Sequence, residues 1–145
     1  MAEITFELVT LEGVKFTEQC YSVQLPTPDG LVSILPHHIP LVSIASPGVV
    51  SIRRRQDDPD SALEHFASDG GLIEVSGKRV RLLADTAEAA EDVNELEAKQ
   101  ALERAKELQK TAKDQVALAD ATALIERHAA RIKVAELKRR RRTKV

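Results

Sequence analysis

The sequence predicts an α+β protein: an N-terminal β-sandwich over residues 1–86 followed by a C-terminal antiparallel two-helix hairpin over residues 87–145. Up to Thr86, short runs of alternating polarity such as Glu3-Ile4-Thr5-Phe6-Glu7-Leu8-Val9 are punctuated by Pro and Gly. After it there is no Gly or Pro, and apolar residues recur every three or four positions among Ala, Glu, Lys, Leu and Arg. Many short strands with a turn signal about every eight to twelve residues indicate a sandwich or flattened barrel.

Ile4, Phe6 and Leu8 fall on one side of a first strand, and Glu12-Gly13 turns the chain into a second strand from about Val14 to Leu25. Thr27-Pro28-Asp29-Gly30 is a turn, because Pro presets φ and Gly accepts the positive φ that follows. Leu31–Leu35 is a short strand, and the prolyl-framed loop Pro36-His37-His38-Ile39-Pro40 leads into a strand at Leu41–Ile44. Pro47-Gly48 turns into Val49–Arg53; strands near Ala62–Ala67, Gly71–Val75 and Arg79–Ala84 follow, the last two joined through Ser76-Gly77-Lys78.

The helical part carries one stripe of Val93, Leu96, Ala101, Leu102, Ala105, Leu108 and Ala112, and another of Ala117, Ala121, Leu124, Ile125, His128, Ile132 and Ala135. Thr111–Gln115 breaks the pattern, and Asp114 is placed to cap the second helix. A short connection makes the pair an antiparallel hairpin. Its Ala-rich seam buries little area per turn, at about 0.8 kcal/mol per methylene, so the hairpin is expected to open easily. It must pack on the β module, fold on itself or engage a partner.

Composition narrows the function. With 145 residues there is room for one good core or a small domain plus an extension, and with 3% aromatics that core is aliphatic. The lone Cys20 excludes an internal disulfide and fits a reducing compartment, as a small buried hydrophobe. The N-terminus has the character of neither a signal nor a transit peptide, and the most apolar stretch, 39–50, is interrupted and too short to span a bilayer. Any membrane association must come through a partner.

Catalytic and cofactor signatures are missing. His37-His38 is an adjacent pair without further ligands nearby, which reads as structural or interfacial; His65 and His128 are isolated. Asp69-Gly70-Gly71 is a turn with no phosphate-binding Lys-Ser/Thr after it, and there is no nucleophile elbow and no Cys with a placed His. Arg53-Arg54-Arg55 faces Asp57, Asp58 and Asp60 as a self-neutralising loop. The cations Lys138–Arg142 lack a local acidic counterpart, which leaves a solubilising tail or a segment docking on acidic protein or nucleic acid. No aromatic follows Phe66, so there is no base-stacking platform.

A series of motifs in order carries a resemblance. Pro28-Asp29-Gly30 precedes Ser33-Ile34-Leu35-Pro36-His37-His38-Ile39-Pro40-Leu41; then come Pro47-Gly48-Val49-Val50, Gly70-Gly71-Leu72-Ile73-Glu74-Val75, Leu82-Leu83-Ala84-Asp85-Thr86-Ala87 and Val134-Ala135-Glu136-Leu137-Lys138. Over nearly its whole length the chain resembles the epsilon subunit of bacterial F-type ATP synthase, called delta in mitochondria. Ser33 and His37 stand where the family usually has glycines, and Leu31 where some relatives have an acidic or polar residue.

The resemblance implies a non-catalytic rotor subunit, peripheral on the cytoplasmic face of the bacterial membrane. Its sandwich clamps the gamma subunit and rests on the ring of c subunits through Gly30, Leu31, His38 and Ile39. Its hairpin either folds on the sandwich or extends into the alpha/beta catalytic head, restraining ATP hydrolysis, with Arg139, Arg140, Arg141 and Arg142 meeting acidic surfaces. Members that bind ATP in the hairpin have an Ile/Leu-Asp-x-x-Arg-Ala motif; here the stretch is Val93-Asn94-Glu95-Leu96-Glu97-Ala98, with an anion at Glu97 in place of the Arg. Arg104, Arg127 and Arg131 remain beside Asn94 as nucleotide candidates, and the expectation is weak ATP binding or none. The rival readings are a free-standing adaptor whose basic tail binds nucleic acid, and a nucleotide-sensing module.

Overall fold

A computed structural model of the chain describes residues 2–143, with side chains through residue 141. Ten strands form two five-stranded sheets, followed by two helices. The strands are β1 (Ile4–Thr10), β2 (Gly13–Cys20), β3 (Ser22–Thr27), β4 (Gly30–Ile34), β5 (Leu41–Ala45), β6 (Gly48–Arg53), β7 (Glu64–Ser68), β8 (Gly71–Ser76), β9 (Arg79–Ala84) and β10 (Ala87–Ala89). The helices are α1 (Glu95–Thr111) and α2 (Gln115–Thr143).

The first sheet has the order β2-β1-β9-β8-β5, with β1 parallel to β9; the second has the order β10-β7-β6-β3-β4. The alternation of β1 is realised in full: Ile4, Phe6, Leu8 and Thr10 point inward and the residues between them are half-exposed. Val23, Leu25, Val50, Ile52 and Phe66 of the second sheet close the core against Phe6, Leu8, Ile73, Val80 and Leu82 of the first. The few aromatics stack through it, Phe16 lying 6.1 Å from Phe6 and 5.1 Å from Phe66 between ring centroids. Cys20 is fully buried, and desolvation pushes its thiol up to about 11, so it is an unreactive packing residue.

The single second strand expected over residues 14–25 is two strands in different sheets. The chain breaks at Tyr21, whose N–H bonds the carbonyls of Arg53 (2.9 Å) and Arg54 (3.1 Å) on the β6 side. Buried parity shifts with it, from Cys20 to Val23. The Arg53–Arg55 run also differs from its reading as a self-neutralising loop. Arg53 does pair with Asp60 (2.6 Å), but Arg54 reaches Glu18 (2.8 Å) and Glu64 (3.0 Å) and lies 5.4 Å above Phe16, tying β2 to β7 across the sandwich end.

The helical stripes are narrower than the periodicity suggested. On α1 the buried residues are Ala98, Ala101 and Ala105, while Leu96 and Leu108 are exposed. Leu96 lies two positions, about 200°, from Ala98 and so faces the opposite way. Asn94 caps α1 by accepting from the N–H of Glu97 (3.0 Å), and Asp114 caps α2 as expected, accepting from the N–H of Ala117 (2.7 Å).

Backbone conformation constrains the sequence most sharply at Gly71 and His37. Gly71 has φ 146°, and a Cβ there would lie 1.9 Å from the Leu83 carbonyl oxygen. His37 has φ 70°, the left-handed region, which an L side chain occupies at a cost of about 1 kcal/mol. Gly71→Ala should therefore destabilise the sandwich by about 3 kcal/mol or more, and His37→Gly should stabilise it by about 0.5–1 kcal/mol; shifts of the urea midpoint in opposite directions check both.

Candidate functional site

Four features of the fold position the candidate residues: the β3–β4 turn, the loop after β4, the open edges of the two sheets, and the contact between the hairpin and the outer face of the second sheet.

At the β3–β4 turn the Thr27 hydroxyl donates to the Gly30 carbonyl (2.6 Å) and accepts from the Asp29 N–H (3.3 Å). Gly30 follows with φ 120°, and Leu31 is 65% exposed. After β4 a turn forms as the His38 N–H bonds the Leu35 carbonyl (3.2 Å), and the His38 ring donates from Nδ1 to the Ile39 carbonyl (2.7 Å). That bond fixes the ring while Ile39 stands 73% exposed. Gly30 and His38 are not one cluster, because the length of β4, about 17 Å of extended chain, lies between them.

Two residues not singled out in the sequence join this surface. Val42 (71% exposed) and Ile44 (65% exposed) point outward from β5, the edge of the first sheet. The contact of β3 with β5, and the bond from the Ser46 N–H to the Pro26 carbonyl (3.0 Å), place this edge beside the β3–β4 edge of the second sheet. The short apolar run Leu41–Ile44 was legible as a strand, but its parity alone does not say that the more apolar side faces outward.

The hairpin lies folded on the sandwich. Ala130 and Val134 of α2 pack on Ala67 of β7 and on Ala90, with Val49 and Val93 at the margin. Burying these methyls contributes on the order of 4 kcal/mol, before the entropy of ordering the helices is subtracted. Beyond Ala105 on α1 and before Ala121 on α2 no residue is buried, so the tip of the hairpin leaves the sandwich with Leu108, Val116 and Leu118 exposed.

Ion pairs reinforce this thin seam. Arg131, with 12% of its side chain exposed, bonds Glu88 of β10 (2.9 Å) and Glu97 of α1, the latter at very short range. It also donates to His128 Nδ1 (3.1 Å). The hydrogen bond from Arg131 holds the Glu97 carboxyl below its ordinary value. Burial opposes the Arg131 charge, yet its bonds to Glu97 and Glu88 outweigh that and raise its pKa. Further along, Arg139 pairs with Glu95 (2.8 Å) and Lys138 donates to the Glu91 carbonyl (3.4 Å).

The nucleotide candidates are thus divided. Asn94 serves as a helix cap, whereas Arg104, Arg127 and Arg131 all bear electrostatically on His128. Of the cationic run, Lys138, Arg140 and Arg141 line a groove of about 200 Å³ with Asp60, Ser61, His65 and Glu91. The side chain of Arg142 lies outside the described residues. Among the described residues no group of three or more His, Cys, Asp or Glu could hold a metal, and no helix is long and apolar enough to cross a membrane.

Comparison with known proteins agrees with the architecture. Residues 3–90 match the family described as ATP synthase, Delta/Epsilon chain, beta-sandwich domain. An ATP synthase epsilon chain of Herpetosiphon aurantiacus is 35% identical over 138 residues, covering 95% of this chain and 98% of that protein. One of Moorella thermoacetica is 36% identical over 135 residues, covering 93% and 98%. A chain in the structure of the Euglena gracilis mitochondrial ATP synthase OSCP/F1/c-ring superposes with a TM-score of 0.76 at 17% identity, covering 94% of this chain and 82% of that chain, and supports the fold. With residues 3–90 matched by the sandwich family and nearly the full length matched by epsilon chains, the chain belongs to the delta/epsilon family of ATP synthase subunits.

Proposed function

We propose that this chain is a non-catalytic rotor subunit that couples proton flow to ATP synthesis through its sandwich, which includes β10, and restrains ATP hydrolysis through the helical hairpin of α1 and α2. The observation that carries the reading is the contrast between two kinds of packing. The sandwich is closed by large aliphatic and aromatic side chains, whereas the hairpin rests on it through alanines, one valine and a few ion pairs. An element held by a few kcal/mol can change partners, and one built into a core cannot.

The exposed apolar edge at Leu31, Ile39, Val42 and Ile44 supports docking of the sandwich on the gamma subunit and the ring of c subunits. Such contacts also account for membrane association on the cytoplasmic face through the complex. The unburied tip of the hairpin, and the cations Arg139–Arg142 once released, suit an extended form reaching the acidic surfaces of the alpha/beta head. ATP is expected to bind weakly or not at all, because Arg131 is already matched by two carboxylates and a phosphate would meet Glu97.

Three outcomes test the reading. Replacing His38 and Ile39 by Asp should weaken copurification with gamma about tenfold or more in a chain that still folds; undiminished association would remove these residues from the interface. Truncation after Asp92, which keeps β10 in its sheet, should leave assembly and synthesis intact and raise ATP hydrolysis by roughly two- to tenfold. Unchanged hydrolysis would discard the restraining role. Calorimetry with ATP should show no saturable heat at low millimolar concentration; a tight isotherm lost on Arg127→Ala would favour a nucleotide sensor instead.

A further inference from the structure

We propose that His128 is a proton-operated release for the hairpin: protonating its ring undocks α2 from the second sheet. The inference concerns docking in the chain itself and stands whether or not the hairpin restrains hydrolysis.

Arg131 joins the sandwich, α1 and α2 through Glu88 and Glu97. A guanidinium can only donate, so its bond of 3.1 Å to His128 Nδ1 requires that nitrogen to be an unprotonated acceptor. The docked ring is therefore the neutral Nε2–H tautomer. A proton on Nδ1 removes the acceptor and sets two cations against each other at hydrogen-bond range. Arg131 cannot retreat without loosening Glu88 or Glu97, since it is mostly buried between them.

The surroundings offer little relief. His128 is faced by Arg127 and Arg131 on its own helix and by Arg104 and Glu97 on α1, while Glu88 of β10 reaches it only through Arg131. Three cations thus oppose one carboxylate that Arg131 already holds. Desolvation, then Arg131 and Arg127, lower the ring below its ordinary value of 6.5. In the open form the ring is rehydrated and Arg131, no longer held by Glu88 and Glu97, can turn away from it, so that form takes up the proton first. The docked state is thus insensitive to pH well above 6.5 and loses ground as pH falls through the ordinary imidazole range. Glu97 is held low and stays charged over that interval, so its carboxylate does not produce the effect.

The Ala130 and Val134 methyls, which lie on Ala67 only when docked, report the equilibrium by NMR in the full chain. Between pH 7.5 and 5.5 at constant ionic strength, the open-to-docked ratio should rise several-fold, and by no more than about tenfold, the limit set by a free imidazole. His128→Gln, which keeps an acceptor for Arg131 but does not titrate, should flatten the response. His65 sits under the far end of α2 and is also lowered, first by desolvation and then by Arg141, so His65→Gln should keep at least half of it. Ring nitrogen shifts at pH 7.5 should show His128 as the Nε2–H tautomer. An unchanged ratio in the wild type, a response that survives His128→Gln or vanishes with His65→Gln, or an Nδ1–H tautomer in the docked state would each overturn the proposal.

Discussion

Arg131 sits where three elements meet, and its burial makes their association close to all-or-none. A guanidinium taken out of water must keep its carboxylates, because losing one leaves a charge that the surrounding alanines cannot solvate. Glu88 is fixed in β10, which is zipped to β7, so that end of the network belongs to the sandwich. Glu97 lies in the first turn of α1, whose start is held by the Asn94 cap. Holding both carboxylates fixes α1 against α2 and α2 against the sheet at once. Closing the hairpin and docking it are therefore coupled, although the alanine seams alone would let each come apart separately.

The sandwich is cohesive for other reasons, and the division suits the proposed role. Its core is contiguous from Phe6 to Leu82, the close approach at Gly71 locks β8 to β9, and Arg54 clamps the end where the chain changes sheets. A scaffold of this kind holds Leu31, Ile39, Val42 and Ile44 at fixed positions without help from the helices. The hairpin can then move without disturbing the edge on which assembly is proposed to depend.

Much of this fold was legible because its signals are local. Alternation located nearly every strand and Asp114 marked the start of α2, whereas the loss of Gly and Pro after Thr86 runs ahead of the helices, because β10 (Ala87–Ala89) still pairs with β7 and α1 begins only at Glu95. The misreadings were questions of partnership. Cys20 to Val23 is a break in parity visible in the sequence, but only the carbonyls of Arg53 and Arg54 show that the chain changes sheets there. Leu96 and Leu108 looked like core because leucine usually is, yet close helix packing selected the alanines beside them. The pairing of Glu97 with Arg131 joins residues on different helices, and nothing in their local sequence specifies it. In the sequence Glu97 is a missing cation; in the structure it is a carboxylate supplied to Arg131 from within the chain.

The buried apolar cluster beneath α2 is made of side chains no larger than valine. Undocking thus wets little apolar area, and the heat-capacity change, which scales with that area, must be small. The free energy of docking should consequently vary almost linearly with temperature, without the strong curvature of the sandwich core. A switch resting on charge and small methyls leaves no large greasy surface behind when it opens.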